Sequence, residues 1–208
     1  MRDGPGLAFI PLRALVAPAL SLAFRVRTHG RQHLPRRGAA ILVANHASFL
    51  DPVLIATYVK RPVRFLVSDE FYRNPRLNRL LRWLGTIPVG GEAGMIRSFR
   101  RVAKVIEGGG LLGIFPEGGI TRDGAMRPFR AGAATIALRM GVPVVPIHLA
   151  GTFAALPRHA KWPRFVPVTM RIGEPIGVTA RPSPSAEDIA ALTESLRNAI
   201  ASLAPPEG

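Results

Sequence analysis

The sequence predicts an α/β fold in which a mixed, mostly parallel central sheet is flanked by helices and preceded by an apolar helix at a membrane interface. Apolar runs typical of strands alternate with helical patterns along the chain, which favours strands joined by helical crossovers. The chain has 208 residues, 48% of them hydrophobic, so a single domain can bury a substantial core.

The first segment, "GLAFIPLRALVAPALSLAF" at positions 6–24, is the most hydrophobic stretch. Arg13 interrupts it, and the remaining run is too short to cross about 30 Å of hydrocarbon as a helix. Arginines follow at once, and basic residues beside an apolar segment mark the cytoplasmic face and attract anionic headgroups. We therefore expect residues 1–24 to associate with the cell membrane as a peripheral or monotopic element, and residues 25–208 to form the main domain. A helix that only covers the core is the alternative.

The strands and helices predicted after this segment follow one another without an internal repeat. The predicted strands are 24–28, 39–44, 63–67, 111–115, 142–149 and 168–173. The predicted helices are 52–60, 76–84, 95–107, 130–140 and 186–203. The Pro/Ser-rich stretch 181–188 is expected to cap the last helix.

The first polar cluster, "NHASFLDP" at positions 45–52, follows the predicted strand 39–44. Asp51 before Pro52 is a favourable helix start, since an Asp side chain can accept orphan backbone N–H groups as an N-cap and Pro suits the first helical position. His46 alone is also compatible with a buried core histidine. The same pair suits acid–base chemistry, because histidine titrates near neutral pH and a carboxylate can orient it. The stretch by itself leaves these interpretations open.

The second polar cluster, "GIFPEGGITRDG" at positions 113–124, begins in the predicted strand 111–115. Glu117 lies just past this strand, as His46 lies just past strand 39–44. If the two strands are parallel neighbours, both side chains reach one cleft at the carboxyl ends of the strands, where ligands bind in such sheets. A polar loop with a glycine turn is the alternative.

The overall charge favours anionic partners. The chain carries 28 Lys and Arg against 13 Asp and Glu, a formal net charge of +15, which suits nucleic acid, acidic lipid surfaces or phosphorylated ligands. It has no cysteine, which excludes disulfides, thiolate metal sites and cysteine nucleophiles. The five histidines form no H-E-x-x-H motif, and G-x-S-x-G is absent, so neither a zinc peptidase nor an α/β-hydrolase is favoured.

Several motifs together resemble one family. In chain order they are "NHASFLD" (45–51), "GTIPVGG" (85–91), "FPEGGITRDG" (115–124), "FRAG" (129–132) and "VPVVPIHLAGT" (142–152). This order is similar to that of the glycerolipid acyltransferases, the 1-acylglycerol-3-phosphate acyltransferases with their H-x4-D motif, over roughly residues 24–180. The resemblance implies their fold, an acyltransferase domain at 25–208, and transfer of a fatty acyl chain from acyl-CoA or acyl carrier protein to a lysophospholipid hydroxyl. Lysophosphatidic acid is the first acceptor it implies, with phosphatidic acid as product.

The resemblance also assigns roles to residues. It implies that His46 is the general base and that Asp51 holds its imidazole. It implies no metal and no cofactor besides the acyl donor. The substrate-binding residues it indicates are Asn45, Ser48, Glu117, Gly118, Arg122 and Arg130. For Glu117, acceptor binding and loop anchoring both remain open. The oxyanion donors are expected among backbone N–H groups near Gly118 or at the helix after Asp51.

Two departures from the family pattern concern the acceptor. Gly90-Gly91 stands where the second motif usually ends in Asp-Arg or Asn-Arg, and Gly119-Ile120 replaces the usual Thr-Arg. In the family those arginines are associated with the acceptor's phosphate. Arg122, Arg130 or an arginine of 97–101 is a substitute, and another lysolipid or a hydroxylated lipid is the alternative acceptor. A different class, a basic module that binds membrane or nucleic acid, is compatible with the charge alone, but the chain has no recognisable nucleic-acid-binding motif.

Overall fold

A computed structural model describes residues 9–90 and 92–205 of the chain. Within these residues, seven strands form one sheet: β1 (Arg27–His29), β2 (Ala40–Ala44), β3 (Val63–Ser68), β4 (Ile87–Val89), β5 (Leu111–Ile114), β6 (Val144–Ala150) and β7 (Thr169–Ile172). The helices in the same part of the chain are α1 (Phe9–Phe24), α2 (Asp51–Tyr58), α3 (Asp69–Tyr72), α4 (Pro75–Trp83), α5 (Glu92–Glu107), α6 (Gly132–Met140), α7 (Thr152–Ala155) and α8 (Ala186–Ser202).

The strand directions confirm the predicted mixed, mostly parallel sheet. The strand order is β1-β7-β6-β2-β5-β3-β4. The five strands from β6 to β4 are parallel to one another, whereas β7 is antiparallel to β6 and β1 runs with β7. The central strand β2, "AILVA", is buried along its whole length, as expected for a strand that helices cover on both faces.

The core has two halves, one on each face of the sheet, because successive strand residues point to opposite sides. Leu42 and Ile147 belong to the half that α1 and α2 cover. Ile41 and Val144 belong to the other half, which α5, α6 and α8 cover. All four side chains are buried, so both faces of the sheet hold helices in place.

Most differences from the predicted elements concern short segments. Strand β4 and helix α3 were not predicted, because three residues that include Pro88 and a single helical turn carry little periodic signal. The predicted strand 24–28 begins only at Arg27, since α1 continues through Phe24. Helix α5 begins at Glu92 rather than at position 95.

The last helix is capped as predicted. The Ser185 hydroxyl accepts a hydrogen bond from the Asp188 N–H, and the Asp188 carboxylate accepts one from the Ser185 N–H. This reciprocal capping box satisfies two backbone donors at the start of α8.

Helix α1 packs on α2 through polar contacts near its ends. Arg13 Nη1 donates to the Val59 carbonyl at 3.4 Å, and the Ser21 hydroxyl lies 2.6 Å from the Tyr58 hydroxyl. Leu15 and Leu22 are exposed. Among the described helices, none is both long and apolar enough to cross a membrane. The division into 1–24 and 25–208 stays a prediction, and positions 1–8 lie outside the described residues.

Candidate active site

The two polar clusters meet at the carboxyl ends of β2 and β5. These strands are parallel neighbours, with Val43 opposite Ile114, so the segments that follow them lie side by side. The His46 backbone N–H donates to Glu117 Oε1 at 2.8 Å, and the Thr121 N–H donates to the His46 carbonyl at 3.0 Å. The adjacency expected from the two strand ends is therefore present.

The centre of the site is the pair of His46 and Asp51. His46 Nδ1 lies 2.9 Å from Asp51 Oδ2. The same oxygen accepts the backbone N–H groups of Ala47 and Ser48, each at 2.7 Å. Asp51 is fully buried and the His46 side chain is 16% exposed. The carboxylate is thus fixed by three donors and orients an imidazole whose other nitrogen, Nε2, is not used by Asp51.

The interpretation of Asp51 as a helix N-cap is wrong. Helix α2 begins at Asp51 itself, and the cap position is Leu50, which makes no side-chain cap. The Asp51 carboxylate turns back to the N–H groups of the loop before the helix instead of the helix's own first turn. Charge-assisted hydrogen bonds of this kind stabilise the buried Asp51 carboxylate more strongly than they would stabilise a solvent-exposed one.

An aromatic residue that the sequence analysis did not single out covers the imidazole. The Phe115 ring stacks on His46 with a centroid distance of 4.1 Å and an interplanar angle of 19°. Phe65 stacks in turn on Phe115 at 5.7 Å. These rings hold the imidazole plane and exclude water from one face. The phenylalanine of the F-P-E-G motif is the only sequence signal that points to this role.

Glu117 anchors the loop after β5. Its Oε1 accepts the His46 N–H and its Oε2 accepts the Arg127 N–H at 3.1 Å, and the residue is buried. Burial raises the pKa of Glu117 above its ordinary value of 4.5, and the hydrogen bonds from His46 and Arg127 oppose that rise. Both carboxylate oxygens therefore serve the backbone, which joins the 116–130 loop to the His46 loop. Arg127 was not among the predicted residues, because a backbone donor leaves no motif.

A pH dependence of stability follows from Glu117. We expect the free energy of unfolding of the wild type, relative to Glu117→Gln, to be highest below pH 4.5 and to fall as the pH rises through the raised pKa of the folded state. Between the unfolded and folded pKa values, the folded protein holds a proton that the unfolded chain has released. The free energy of unfolding changes by about 1.4 kcal/mol for each unit by which the two pKa values differ. Urea unfolding of both proteins across this pH range measures it. A pH-independent difference between the two would contradict the burial argument.

Asn45 and Ser48 form hydrogen bonds within the protein. Asn45 Nδ2 donates to the Leu149 carbonyl and its Oδ1 accepts the Leu149 N–H, at 3.0 and 2.8 Å. The Ser48 hydroxyl donates to the Leu156 carbonyl at 2.7 Å. These bonds tie the His46 loop to β6 and to the loop that follows α7. A direct role of either side chain in substrate binding stays a prediction.

The glycine and arginine residues of the second cluster lie together. Gly118 has a φ of 71°, and a Cβ there would lie 2.5 Å from Arg130 Nε, so the guanidinium packs directly on this glycine. The Gly118 N–H already donates to the Phe115 carbonyl at 3.1 Å, which removes it as an oxyanion donor. Arg122 and Arg130 are both exposed. Their predicted role in binding substrate is compatible with these positions and stays a prediction.

The glycines of the second motif border a different part of the sheet. A Cβ at Gly90 would lie 2.2 Å from the Asp69 carboxyl carbon, so this carboxyl group occupies the space of a side chain at position 90. Gly91 lies outside the described residues. Within the described part of the chain, no group of three or more His, Cys, Asp and Glu is placed to hold a metal.

A buried carboxylate and an oriented imidazole at the carboxyl edge of a parallel sheet define an acid–base site of the kind that activates a hydroxyl group. Residues 25–150 match the family model described as Acyltransferase. Since this match covers more than half of the sequence, the chain belongs to the acyltransferase family. The resemblance that the motifs indicated is confirmed.

Similar proteins carry related names. The chain is 31% identical to a 1-acyl-sn-glycerol-3-phosphate acyltransferase of Borreliella burgdorferi, over 70% of this chain and 60% of that protein. It is 26% identical to one from Bacillus subtilis, over 88% and 90% of the two chains. It spans 60%, 40% and 54% of the lengths of the first three curated relatives that it matches.

A solved structure supports the fold. The crystal structure of the 1-acyl-sn-glycerophosphate acyltransferase PlsC from Thermotoga maritima superposes with a TM-score of 0.77 at 25% sequence identity, over 100% of this chain and 86% of that one. The predicted acyltransferase-like α/β fold is therefore confirmed.

Proposed function

We propose that this protein transfers a fatty acyl chain from a thioester donor, acyl-CoA or acyl carrier protein, to the free hydroxyl of a lysophospholipid. The observation that carries the proposal is the 2.9 Å contact between His46 Nδ1 and the buried Asp51 carboxylate, in a chain of the acyltransferase family. The acceptor we favour is 1-acyl-sn-glycerol-3-phosphate, the substrate in the names of the relatives, which gives phosphatidic acid.

In the proposed mechanism, Asp51 accepts the Nδ1–H of neutral His46 and leaves Nε2 as the base. Nε2 takes the proton of the acceptor hydroxyl as its oxygen attacks the thioester carbonyl carbon. The tetrahedral intermediate then collapses, the C–S bond breaks, and the imidazolium returns the proton to the departing thiolate. Ester and free thiol are the products, and no group on the enzyme is acylated.

The donors for the tetrahedral oxyanion remain a proposal. The Gly118 N–H donates to the Phe115 carbonyl, so the candidates are the other backbone N–H groups near Gly118 and those at the start of α2. Asn45, Ser48 and Glu117 act, in this proposal, by fixing the loop that carries His46. Phe115 fixes the imidazole plane.

The proposed function is tested by acyl transfer with purified protein in vesicles. Labelled palmitoyl and oleoyl donors, on CoA and on acyl carrier protein, are offered with lysophosphatidic acid and with a panel of other lysolipids. We expect phosphatidic acid to form. Transfer to another lysolipid alone would retain the mechanism and replace the acceptor, and hydrolysis without any acceptor would indicate a thioesterase instead.

The Arg130 side chain is exposed and packs on Gly118, and we propose it, together with Arg122, for the acceptor's phosphate. An arginine binds a phosphate through charge-assisted, often bidentate hydrogen bonds. We expect Arg130→Gln to raise KM for lysophosphatidic acid by about tenfold, from the loss of about 1.4 kcal/mol, and to leave 1-monoacylglycerol turnover unchanged. Equal losses on both acceptors would contradict a phosphate contact. Arg139→Gln, on the exposed side of α6, is the matched control.

We also propose that the protein acts at the cytoplasmic face of the cell membrane as a peripheral or monotopic protein. The exposed Leu15 and Leu22 on α1 and the net charge of +15 support attachment to an anionic lipid surface. Sedimentation with anionic and neutral vesicles tests it. Binding to nucleic acid that is independent of His46 would favour the alternative basic module.

A further inference from the structure

Helix α4 carries an apolar stripe that the rest of the described protein covers only in part. Leu77, Leu80 and Leu81 stand at helical spacing, and Leu84 continues the row just past the helix end, so the four form one face. Leu77 is 39% exposed and Leu80 49%. Among the described side chains of α4 none is buried. A helix that served only to cover the core would bury this stripe.

The same helix carries positive charge on the face opposite its apolar stripe, given about 100° of rotation per residue. Arg79 and Arg82 are exposed on α4, and Arg73 is exposed just before it. No acidic residue lies between Pro75 and Trp83. Trp83, at the helix end, is 42% exposed. An apolar stripe with arginines on the opposite face and a tryptophan at the helix end is the pattern of helices that lie in the headgroup region of a bilayer.

A second exposed apolar segment lies on the other side of His46. In the loop after α7, Trp162 is 82% exposed and Phe165 is also exposed. The Ser48 hydroxyl donates to the Leu156 carbonyl, which ties this loop to the His46 loop. Phe165 also contacts Phe24 at the end of α1, with ring centroids 5.9 Å apart.

The sheet places both segments around the candidate active site. The chain leaves β3 at its carboxyl end to form α3 and α4, and it leaves β6 at its carboxyl end to form α7 and the loop with Trp162. In the order β6-β2-β5-β3, strand β2, which leads into His46, lies between them. The segments that carry these exposed apolar groups therefore leave the sheet on either side of the strand that leads into His46.

We propose that α4 and the Trp162–Phe165 segment form a membrane-contacting surface, distinct from α1, that docks the carboxyl edge of the sheet on an anionic bilayer. Net charge +15 and the arginines of α4 match an anionic lipid surface. Contacts on both sides of His46 bring this residue to the headgroup level, where the hydroxyl of a lysolipid lies. The membrane contact itself does not depend on the proposed function, and only its benefit to catalysis rests on that function.

Polar contacts also hold the α4 segment in place, so the helix does not depend on the exposed Leu77 and Leu80 alone. The Tyr72 hydroxyl donates to the Thr86 carbonyl and Asn78 Nδ2 donates to the Tyr72 carbonyl, each at 2.8 Å. These polar contacts secure the segment without the side chains of Leu77 and Leu80. Polar substitutions of Leu77 and Leu80 are therefore compatible with folding, and thermal unfolding of each variant verifies this.

The two tryptophans of the chain lie one in each segment and report on them separately. Trp162→Phe leaves Trp83 as the single fluorophore, and Trp83→Phe leaves Trp162. With vesicles of phosphatidylcholine and phosphatidylglycerol, we expect a blue shift for both, and quenching by lipid brominated on its acyl chains. An unshifted, unquenched Trp83 in bound protein would overturn the proposal for α4, and the same result for Trp162 would overturn it for the loop.

Paired variants separate this surface from α1. We expect Leu77→Ser/Leu80→Ser to weaken vesicle binding with α1 unchanged, and Leu15→Ser/Leu22→Ser to weaken it independently. Arg79→Gln and Arg82→Gln should each lower affinity for anionic vesicles about fivefold, and affinity for neutral vesicles little. Wild-type affinity in all the α4 variants would overturn the proposal. So would a leucine variant that only converts a dimer to a monomer in sedimentation, since the stripe would then join two copies.

The measurements distinguish a wrong assignment of this membrane-contacting surface from a wrong proposed function. Vesicle binding is measured without donor or acceptor, so it does not depend on which lipid is acylated. If the enzyme acylates lysophosphatidic acid, the α4 variants should lose turnover of vesicle-borne acceptor and retain that of a micellar short-chain acceptor. Equal turnover of both acceptors by wild type and variants would overturn the role of the surface and leave the acyl transfer itself intact.

Discussion

Replacing His46 with alanine is expected to reduce kcat/KM for acyl transfer by about 10²- to 10⁴-fold, the contribution typical of a positioned general base. Without Nε2 the acceptor hydroxyl attacks with its proton still bound, and the departing thiolate lacks a positioned acid. The measurement is initial rate against acceptor concentration in vesicles, at fixed saturating donor. Because the alanine variant cannot deprotonate the hydroxyl, the loss should fall on kcat.

The matched control for this prediction is His46→Phe. Phenylalanine retains a ring that can stack on Phe115, which lies 4.1 Å from the imidazole, but it has no base. If both variants lose activity equally and unfold at the same temperature as wild type, the imidazole is needed for chemistry. A His46→Phe variant with near wild-type kcat would return His46 to a packing role.

The sequence predicts the centre of the site well because its elements obey local rules. A polar residue that follows an apolar strand must lie at the sheet edge, so His46 and Glu117 had to meet once β2 and β5 proved to be parallel neighbours. Pairing across the sheet is not a local property. The contacts from Asn45 to Leu149 and from Ser48 to Leu156 depend on where β6 lies, and periodicity along the chain cannot specify that.

Asp51 shows why a helix-start signal can give a side chain the wrong structural role. Asp followed by Pro is a strong helix-start signal, and the helix does start there. The carboxylate nevertheless turns away from the helix, because Ala47, Ser48 and His46 offer three donors that converge on Oδ2. Side-chain preference predicts the helix boundary, whereas the direction of the carboxylate depends on the conformation of the loop before it.

The family's motif arginines are missing from the part of the site whose structure the local sequence constrains least. The Gly118-Gly119 turn leaves room for the Arg130 side chain, which packs where a Cβ at Gly118 would stand. We propose that a guanidinium that reaches the turn from position 130 meets the same electrostatic requirement as one in the motif itself, since phosphate recognition depends on where the charge lies and not on its place in the sequence.

Asp51→Asn is expected to lower kcat by as much as about 10⁴-fold, as loss of the charge behind a catalytic imidazole does in related triads. If the amide oxygen occupies the Oδ2 position, the backbone bonds of Ala47 and Ser48 survive, but the imidazolium loses its counter-charge. If the amide nitrogen occupies it, the amide donates toward Nδ1 and the imidazole must carry its proton on Nε2, which removes the base. Either orientation therefore slows proton transfer.

A double-mutant cycle distinguishes this positioning role from a structural one. Asp51 is fully buried, and its Oδ1 has no hydrogen-bond partner within residues 9–90 and 92–205, so Asp51→Asn should also cost about 1–3 kcal/mol of stability in any background. Its effect on kcat should vanish once His46 is alanine, because two groups that act as a unit are strongly non-additive. Steady-state rates and urea unfolding of both single variants and the double variant measure the two effects. If Asp51→Asn slows the His46→Ala enzyme as much as it slows the wild type, Asp51 acts through the fold of the loop and not through the imidazole.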